Sequence, residues 1–268
     1  HDMSRRVPAG RRRSIFLNHE HSRPRMGGPA AACYGFRQKN GGLMFQEIGA
    51  FLNPAEVARL VQLSGQLNFV EGRLSNPANT TKVNLQAEQS DPRYLESAQI
   101  VVEAFQRCRP FREFAFPKRI APPLLSRYEP GMKYGAHADT AFMAIHAQSG
   151  AYQLRSDLSC TIFLNDPASY DGGELVLHMG TMPIKIKGGP GDAFVYPSSL
   201  LHEVRPVTSG TRLVSITFIE SLIPEERQRN MLFEIQDVLA LEGAKMDYVS
   251  RVRLEVVTQN LKRLWSVA

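Results

Sequence analysis

The sequence predicts a mainly β protein with flanking helices, and three observations carry that reading. Between residues 118 and 221, short β-branched and aromatic runs alternate with Gly, Pro, Asn and Asp. That is the texture of a sandwich, barrel or jelly roll. Upstream, the dipeptides Asn53-Pro54 and Asp91-Pro92 each place an N-capping side chain before a proline suited to the first helical position. Downstream of Pro224, apolar residues return at helical spacing.

Taken in order, the first 43 residues hold Arg5-Arg6, Arg11-Arg12-Arg13, Gly27-Gly28-Pro29 and Gly41-Gly42, without helical or strand periodicity. They read as a basic, disordered N-terminal extension, with order beginning at Met44. Residues 44–117 read as a helical support region: a short strand, a helix from Pro54 to about Gly65, and a second helix through Tyr94–Phe105. Strands are expected at 118–128, 157–164, 173–179, 183–187, 191–196, 201–207 and 211–221, making 118–222 the β domain. Residues 223–268 form a C-terminal helical region: Met231, Leu232, Ile235, Val238 and Leu239 make one packing stripe, and a second segment runs from about Asp247 to Trp265.

Composition excludes several classes of protein. Hydrophobic residues make up 43% and charged residues 22%, so the chain buries a core rather than remaining disordered. No stretch reaches the roughly 18 apolar residues of a membrane span, and the expectation is a soluble protein with no membrane partner. Cys33, Cys108 and Cys160 are odd in number and lack a CxxC pair, which argues against a disulfide framework and for a reducing cytoplasm. The net charge of +6 is local. Residues 1–43 hold nine Lys and Arg against two acidic residues, and the remainder holds 23 against 24. A neutral body gives no basic face for nucleic acid.

Candidate chemistry begins at His137-Ala-Asp139. In an extended segment, residues i and i+2 share a face, so an imidazole and a carboxylate stand side by side. A lone HxD is weak, but His202 lies on a later strand and Arg212 follows ten residues on. If Thr208-Ser209-Gly210 turns a hairpin, Val207 opposes Thr211 and His202 opposes Ile216. Arg212 then shares that face roughly 13 Å along the sheet. Two histidines and one carboxylate form the facial triad of non-haem Fe(II) oxygenases, with open positions for a 2-oxo acid and O2. An arginine supplies a fork for the far carboxylate of such a co-substrate.

These residues resemble the iron(II)/2-oxoglutarate-dependent dioxygenases of the prolyl and lysyl hydroxylase superfamily, and within it the bacterial PKHD-type hydroxylases associated with iron uptake. The resemblance runs from about Met44 to Asp237. It rests on Lys82–Gln86, Arg127–Asp139, Asp157–Asn165, Tyr170–Leu175 and Gly191–His202 through Arg212. It implies a double-stranded β-helix, a jelly roll flanked by helices. It also implies that His137, Asp139 and His202 bind Fe(II), that Arg212 binds 2-oxoglutarate, and that L-ascorbate keeps the iron reduced. Hydroxylation would release succinate and CO2, and an acidic residue at position 139 points to hydroxylation rather than halogenation. The substrate would be peptidyl proline or lysine, or a siderophore-like small molecule.

Other positions have two readings. Tyr128 stands where relatives offer a phenol to the co-substrate, or is a half-buried strand tyrosine. Asn84, in the NLQ element, faces the substrate pocket or caps a turn. His146 lies in the long 140–156 connection, expected to be a loop that covers the site and helps select the substrate; a solvated histidine is the simpler reading there. His178 reads as surface or satisfied core, Cys160 as core, and Asp171-Gly-Gly173 as turn chemistry requiring positive φ. Gly188-Gly-Pro-Gly191 joins two strands and is no phosphate loop. Competing classes are a cupin-like Zn or Mn enzyme, which would not need Arg212, and a non-catalytic module binding through the basic extension. The C-terminal helices offer a homodimer contact.

Overall fold

The computed structural model describes residues 33–34, 45–75, 79–147 and 150–267. Expectations for the N-terminal extension therefore lie outside the described residues, apart from Cys33 and Tyr34. Those two form β1 (Cys33–Tyr34), paired antiparallel with β2 (Gln46–Ile48). Helix α1 (Pro54–Ser64) follows, then β3 (Phe69–Glu71), β4 (Lys82–Val83), β5 (Leu85–Ala87), α2 (Pro92–Arg107) and α3 (Arg109–Ala115). The β-rich stretch supplies β6 (Pro117–Ile120), β7 (Leu124–Tyr128), β8 (Lys133–His137), β9 (Phe142–Ala147), β10 (Gly150–Arg155), β11 (Leu158–Phe163) and β12 (Tyr170–Gly172). It continues with β13 (Leu175–Met179), β14 (Met182–Ile186), β15 (Ala193–Pro197), β16 (His202–Val204), β17 (Val207–Gly210) and β18 (Arg212–Ser221), before α4 (Glu226–Glu242) and α5 (Tyr248–Trp265).

Helix starts follow local chemistry. Asn53 accepts the Glu56 N–H while the Glu56 carboxylate accepts the Asn53 N–H, a complete capping box ahead of Pro54. Asp91 and Asp247 cap α2 and α5 in the same sense. Apolar residues then recur on one face: Leu60 of α1, Phe105 of α2, and Phe111 and Phe114 of α3 are all buried.

The larger sheet runs β1-β2-β15-β11-β18-β7-β5-β3, with β6 also on β18, and the smaller runs β14-β13-β16-β8-β4. Along the chain, β7, β11, β15 and β18 lie in the larger sheet while the intervening β8, β13 and β16 lie in the smaller. This alternation is the double-stranded β-helix. In β11, Leu158, Cys160 and Ile162 pack toward α1–α3, whereas Phe163 joins Leu175, Leu177, Ile186 and Phe194 between the sheets. Both faces are buried, so the polar residues that alternate with Leu158, Cys160 and Ile162, namely Ser159 and Thr161, face the interior rather than solvent. Cys160 is the core residue expected.

Three expectations need correction. Val207–Gly210 does not turn back on 212–221; β17 pairs with β12, while β16 pairs with β13 and β8 in the other sheet. His202 therefore opposes Leu177 and His137 rather than Ile216, because a jelly-roll connection crosses between sheets instead of closing a hairpin. The 140–156 connection is largely ordered strand: β9 and β10 pair from Phe142↔Arg155 to Ala147↔Gly150. In the 231–239 stripe, Leu232 is buried but Met231 and Val238 are exposed, since both lie about 100° or more round the helix from Leu232, off the face that α4 turns inward.

Candidate metal centre

His137 closes β8 and His202 opens β16, and the register sets the two directly opposite each other with ring centroids 4.3 Å apart. Each ring is oriented by its own backbone. His137 Nδ1 lies 2.8 Å from the Gly135 carbonyl and His202 Nδ1 lies 2.8 Å from the Leu200 carbonyl. A carbonyl can only accept, so Nδ1 carries the proton in both rings and Nε2 presents its lone pair. Tyr134 stacks on His137 at 3.6 Å, and Tyr196 packs edge-on against His202.

Asp139 follows β8, its N–H held by the Ser198 carbonyl at 3.0 Å. Its Oδ1 lies 3.7 Å from His137 Nε2 and its Oδ2 lies 3.6 Å from His202 Nε2. These separations exceed a hydrogen bond and suit a single cation touching all three groups. Among the described residues this is the one cluster of His, Cys, Asp or Glu whose ligand atoms gather this closely, all within 4.8 Å. Burial alone would push the Asp139 carboxyl up, but His137 and His202 close beside it and the hydrogen bond from the Ser159 hydroxyl outweigh it, so the group sits below its ordinary value. Burial also lowers His202, despite Asp139. An ionised carboxylate and two imidazoles with free Nε2 atoms are the donor set for a borderline divalent ion such as Fe(II), so the residues fit the group.

The cluster lines a cavity of about 460 Å³ between the sheets. Arg212 lines the same cavity from β18, opposite Tyr128 in the register. At 1% exposure it heads the fully buried large side chains, and its Nε has no hydrogen-bond partner. Its guanidinium lies 5.0 Å from the Tyr128 ring centroid and 5.6 Å from that of Phe163. Asn165 clamps the backbone on either side: its Nδ2 donates to the Thr211 carbonyl and its Oδ1 accepts the Leu213 N–H. A buried cation with an orphan donor facing a cavity is a receptor for an anion. Burial raises the Tyr128 hydroxyl to about 12, keeping it a neutral donor.

Asn84 also reaches this cavity, buried and beside the Tyr128 hydroxyl. Lys82, Asn84 and Gln86 alternate along β4–β5 and turn their polar ends inward while Val83 faces solvent. Phe142, Met143, Ala144 and Ile145 of the β9–β10 hairpin line another wall. The side chain of His146 lies outside the described residues. His178 is half-buried against Glu203 at 3.5 Å, away from the site. Sequence reasoning overlooked Ser159, Ser198 and Tyr196; the available signal was Ser159 and Thr161, polar residues inside an otherwise buried apolar strand.

Fold and site together define a class. The family profile described as the 2OG-Fe(II) oxygenase superfamily matches residues 123–220, the segment that carries the triad and Arg212. Within that superfamily, a PKHD-type hydroxylase of Sphingopyxis alaskensis is 48% identical over 213 residues, covering 80% of this chain and 94% of that one. PKHD-type hydroxylases of Xanthomonas campestris pv. campestris and Gluconacetobacter diazotrophicus are 35% and 36% identical, covering 83% and 84% of this chain and 99% and 100% of theirs. The chain belongs to the PKHD-type hydroxylases, oxidoreductases of the 2-oxoglutarate- and Fe(II)-dependent dioxygenase class. These alignments span more of the chain than the Met44–Asp237 stretch that carries the resemblance in the sequence.

Proposed function

We propose that His137, Asp139 and His202 hold Fe(II), that Arg212 with Tyr128 holds the distal carboxylate of 2-oxoglutarate, and that Asn84 faces the substrate. The observation that carries this reading is Arg212: a fully buried guanidinium with an unpartnered Nε, in the cavity lined by the triad. A Zn or Mn enzyme without a keto-acid co-substrate would have no use for that cation. Bound iron supplies the redox chemistry, coupling O2 reduction to oxidative decarboxylation of 2-oxoglutarate, with succinate and CO2 released as a substrate C–H is hydroxylated. The chain's own residues bind, orient and exclude water.

The substrate is a peptidyl proline or lysine, or a siderophore-like small molecule related to iron uptake. It enters between the polar wall of Lys82, Asn84 and Gln86 and the apolar hairpin residues Phe142, Met143 and Ile145. L-Ascorbate serves as the reductant that restores Fe(II). The protein works in the cytoplasm without nucleic acid or membrane, and a second copy pairs through the exposed apolar residues of α4 and α5. No helix among the described residues is long and apolar enough to cross a membrane.

The test is an anaerobic absorbance titration of metal-free protein with Fe(II) and then 2-oxoglutarate, beside His202→Ala and Arg212→Ala. The expected result is a visible iron-to-keto-acid charge-transfer band in wild type, absent without His202 and requiring at least tenfold more 2-oxoglutarate (roughly 1.4 kcal/mol or more) without Arg212. Well-folded, iron-loaded wild type with no band would overturn the assignment.

A further inference from the structure

Beside Asp139, three serines from separate segments stand in line, starting with Ser159 at the wall of the cavity. Ser159 of β11 places its Oγ 2.6 Å from Asp139 Oδ2. Ser198, after β15, places its Oγ 2.7 Å from Ser159 Oγ. Ser156, between β10 and β11, places its Oγ 2.7 Å from Ser198 Oγ. All three are buried.

Elementary bonding fixes the direction of this chain. An ionised carboxylate can only accept, so the Ser159 proton points at Oδ2. That proton is then spent, and at the next contact Ser198 must be the donor. The same step passes the requirement on to Ser156. Three O–H dipoles therefore align head to tail onto one carboxylate oxygen, each strengthening the next. Ser198 acts twice, because its carbonyl also accepts the Asp139 N–H. Main chain and side chain of this residue are thus held from the same point, and a donor fixed on Oδ2 restrains rotation of the carboxylate. No serine of the three has its hydroxyl among the buried atoms lacking a partner.

We propose that Ser159, Ser198 and Ser156 are positioning residues, a directional hydroxyl relay that sets the Asp139 carboxylate for metal binding; the proposal rests on the triad reading above. Their effect on the metal passes through Asp139, the one triad residue that the relay reaches. Partners of this kind around a metal ligand usually change affinity by about 10–100-fold when removed.

The experiment is a titration of metal-free protein with Co(II) alone, followed by its visible absorption, with no 2-oxoglutarate and no turnover. It compares wild type, Ser159→Ala, Ser159→Thr and Ser198→Ala, with thermal unfolding of each metal-free protein as a control for folding. Ser159→Ala is expected to weaken Co(II) binding about 10–100-fold and to alter the ligand-field band. Ser159→Thr, which keeps the hydroxyl on a strand that tolerates β-branching, is expected to restore affinity and spectrum. Ser198→Ala is expected to fall between wild type and Ser159→Ala. Wild-type affinity and spectrum in Ser159→Ala would overturn the relay, as would a Ser159→Thr protein as weak as Ser159→Ala, since packing rather than the hydroxyl would then be responsible. If Ser159→Ala loses its folding transition, Ser198→Ala carries the comparison: weakened binding supports the relay and unchanged binding overturns it. Wild type that binds no Co(II) would overturn the triad itself, an outcome separate from a normal wild type beside an unaffected variant.

Discussion

Gly173 shows how one residue can govern a binding group it never touches chemically. Its φ of +66° lies in the left-handed region, and a Cβ there would approach Arg212 Cδ and Val207 Cγ2 at 3.0 Å. Gly173→Ala is expected to cost about 1–2 kcal/mol of stability and to weaken 2-oxoglutarate binding by displacing Arg212; denaturant melts and the charge-transfer titration read the two effects. Lys82 makes a different point. Burial lowers its ammonium from 10.5 to about 8, only partly offset by Asp139. The folded pKa is below the unfolded one, so between about pH 8 and 10.5 the unfolded chain binds the extra proton and stability rises with pH. Below that window the full penalty is present. Lys82→Met should remove this rise and stabilise the metal-free protein near neutral pH by up to about 3 kcal/mol, measured by urea unfolding at several pH values against wild type. The candidate ligands His137, Asp139 and His202 were legible as residue types at informative spacing. Ser159 and Ser198 were not, because a buried serine in a strand looks the same whether it satisfies a neighbour or steers a ligand.

At the scale of elements, the β9–β10 hairpin is the part most readily separated from the rest of the site. Its base is tied down: Arg155 donates to Asp157 and to the Ser221 carbonyl. Its first strand lines the cavity, and Phe142 is 55% exposed. Replacing 142–154 by a short Gly-containing turn should leave the Fe(II)–2-oxoglutarate charge-transfer band intact while abolishing substrate-stimulated 2-oxoglutarate consumption. Loss of the band as well would show that the hairpin supports the metal site rather than the substrate. Helices were legible from local signals, since capping and proline chemistry act within a turn: α1 starts at Pro54 and α5 ends at Trp265, as read from the sequence. Pairing between distant strands was not. The adjacency of 201–207 and 211–221 suggested a hairpin, but β16 and β18 belong to different sheets, and only the crossing of the jelly roll brings His202 and Arg212 to one cavity.

For the whole molecule, the outward face of the C-terminal helices gives the remaining prediction. Tyr248, Val249, Val256, Val257 and Leu264 of α5 and Met231, Val238 and Leu241 of α4 are all exposed. Spacings of seven residues, 249 to 256, 257 to 264 and 231 to 238, set them in stripes along the helices. If a second copy covers this face, light scattering should give twice the chain mass for wild type and a single chain for Val256→Glu with Val257→Glu; a monomeric wild type would remove the dimer from the proposal. By itself, the sequence determined the class of fold and where α1 and α5 lie, and it singled out His137, Asp139, His202 and Arg212 as candidates, because caps, strand texture and donor chemistry are written in residues close together or in residue types with few other uses. Tertiary structure decided which strands share a sheet, that 142–155 is a hairpin, and that three serines line up behind one another to Asp139. Those outcomes depend on contacts between segments far apart in the chain, where many pairings are locally acceptable and only the packing of both sheets around one core selects among them.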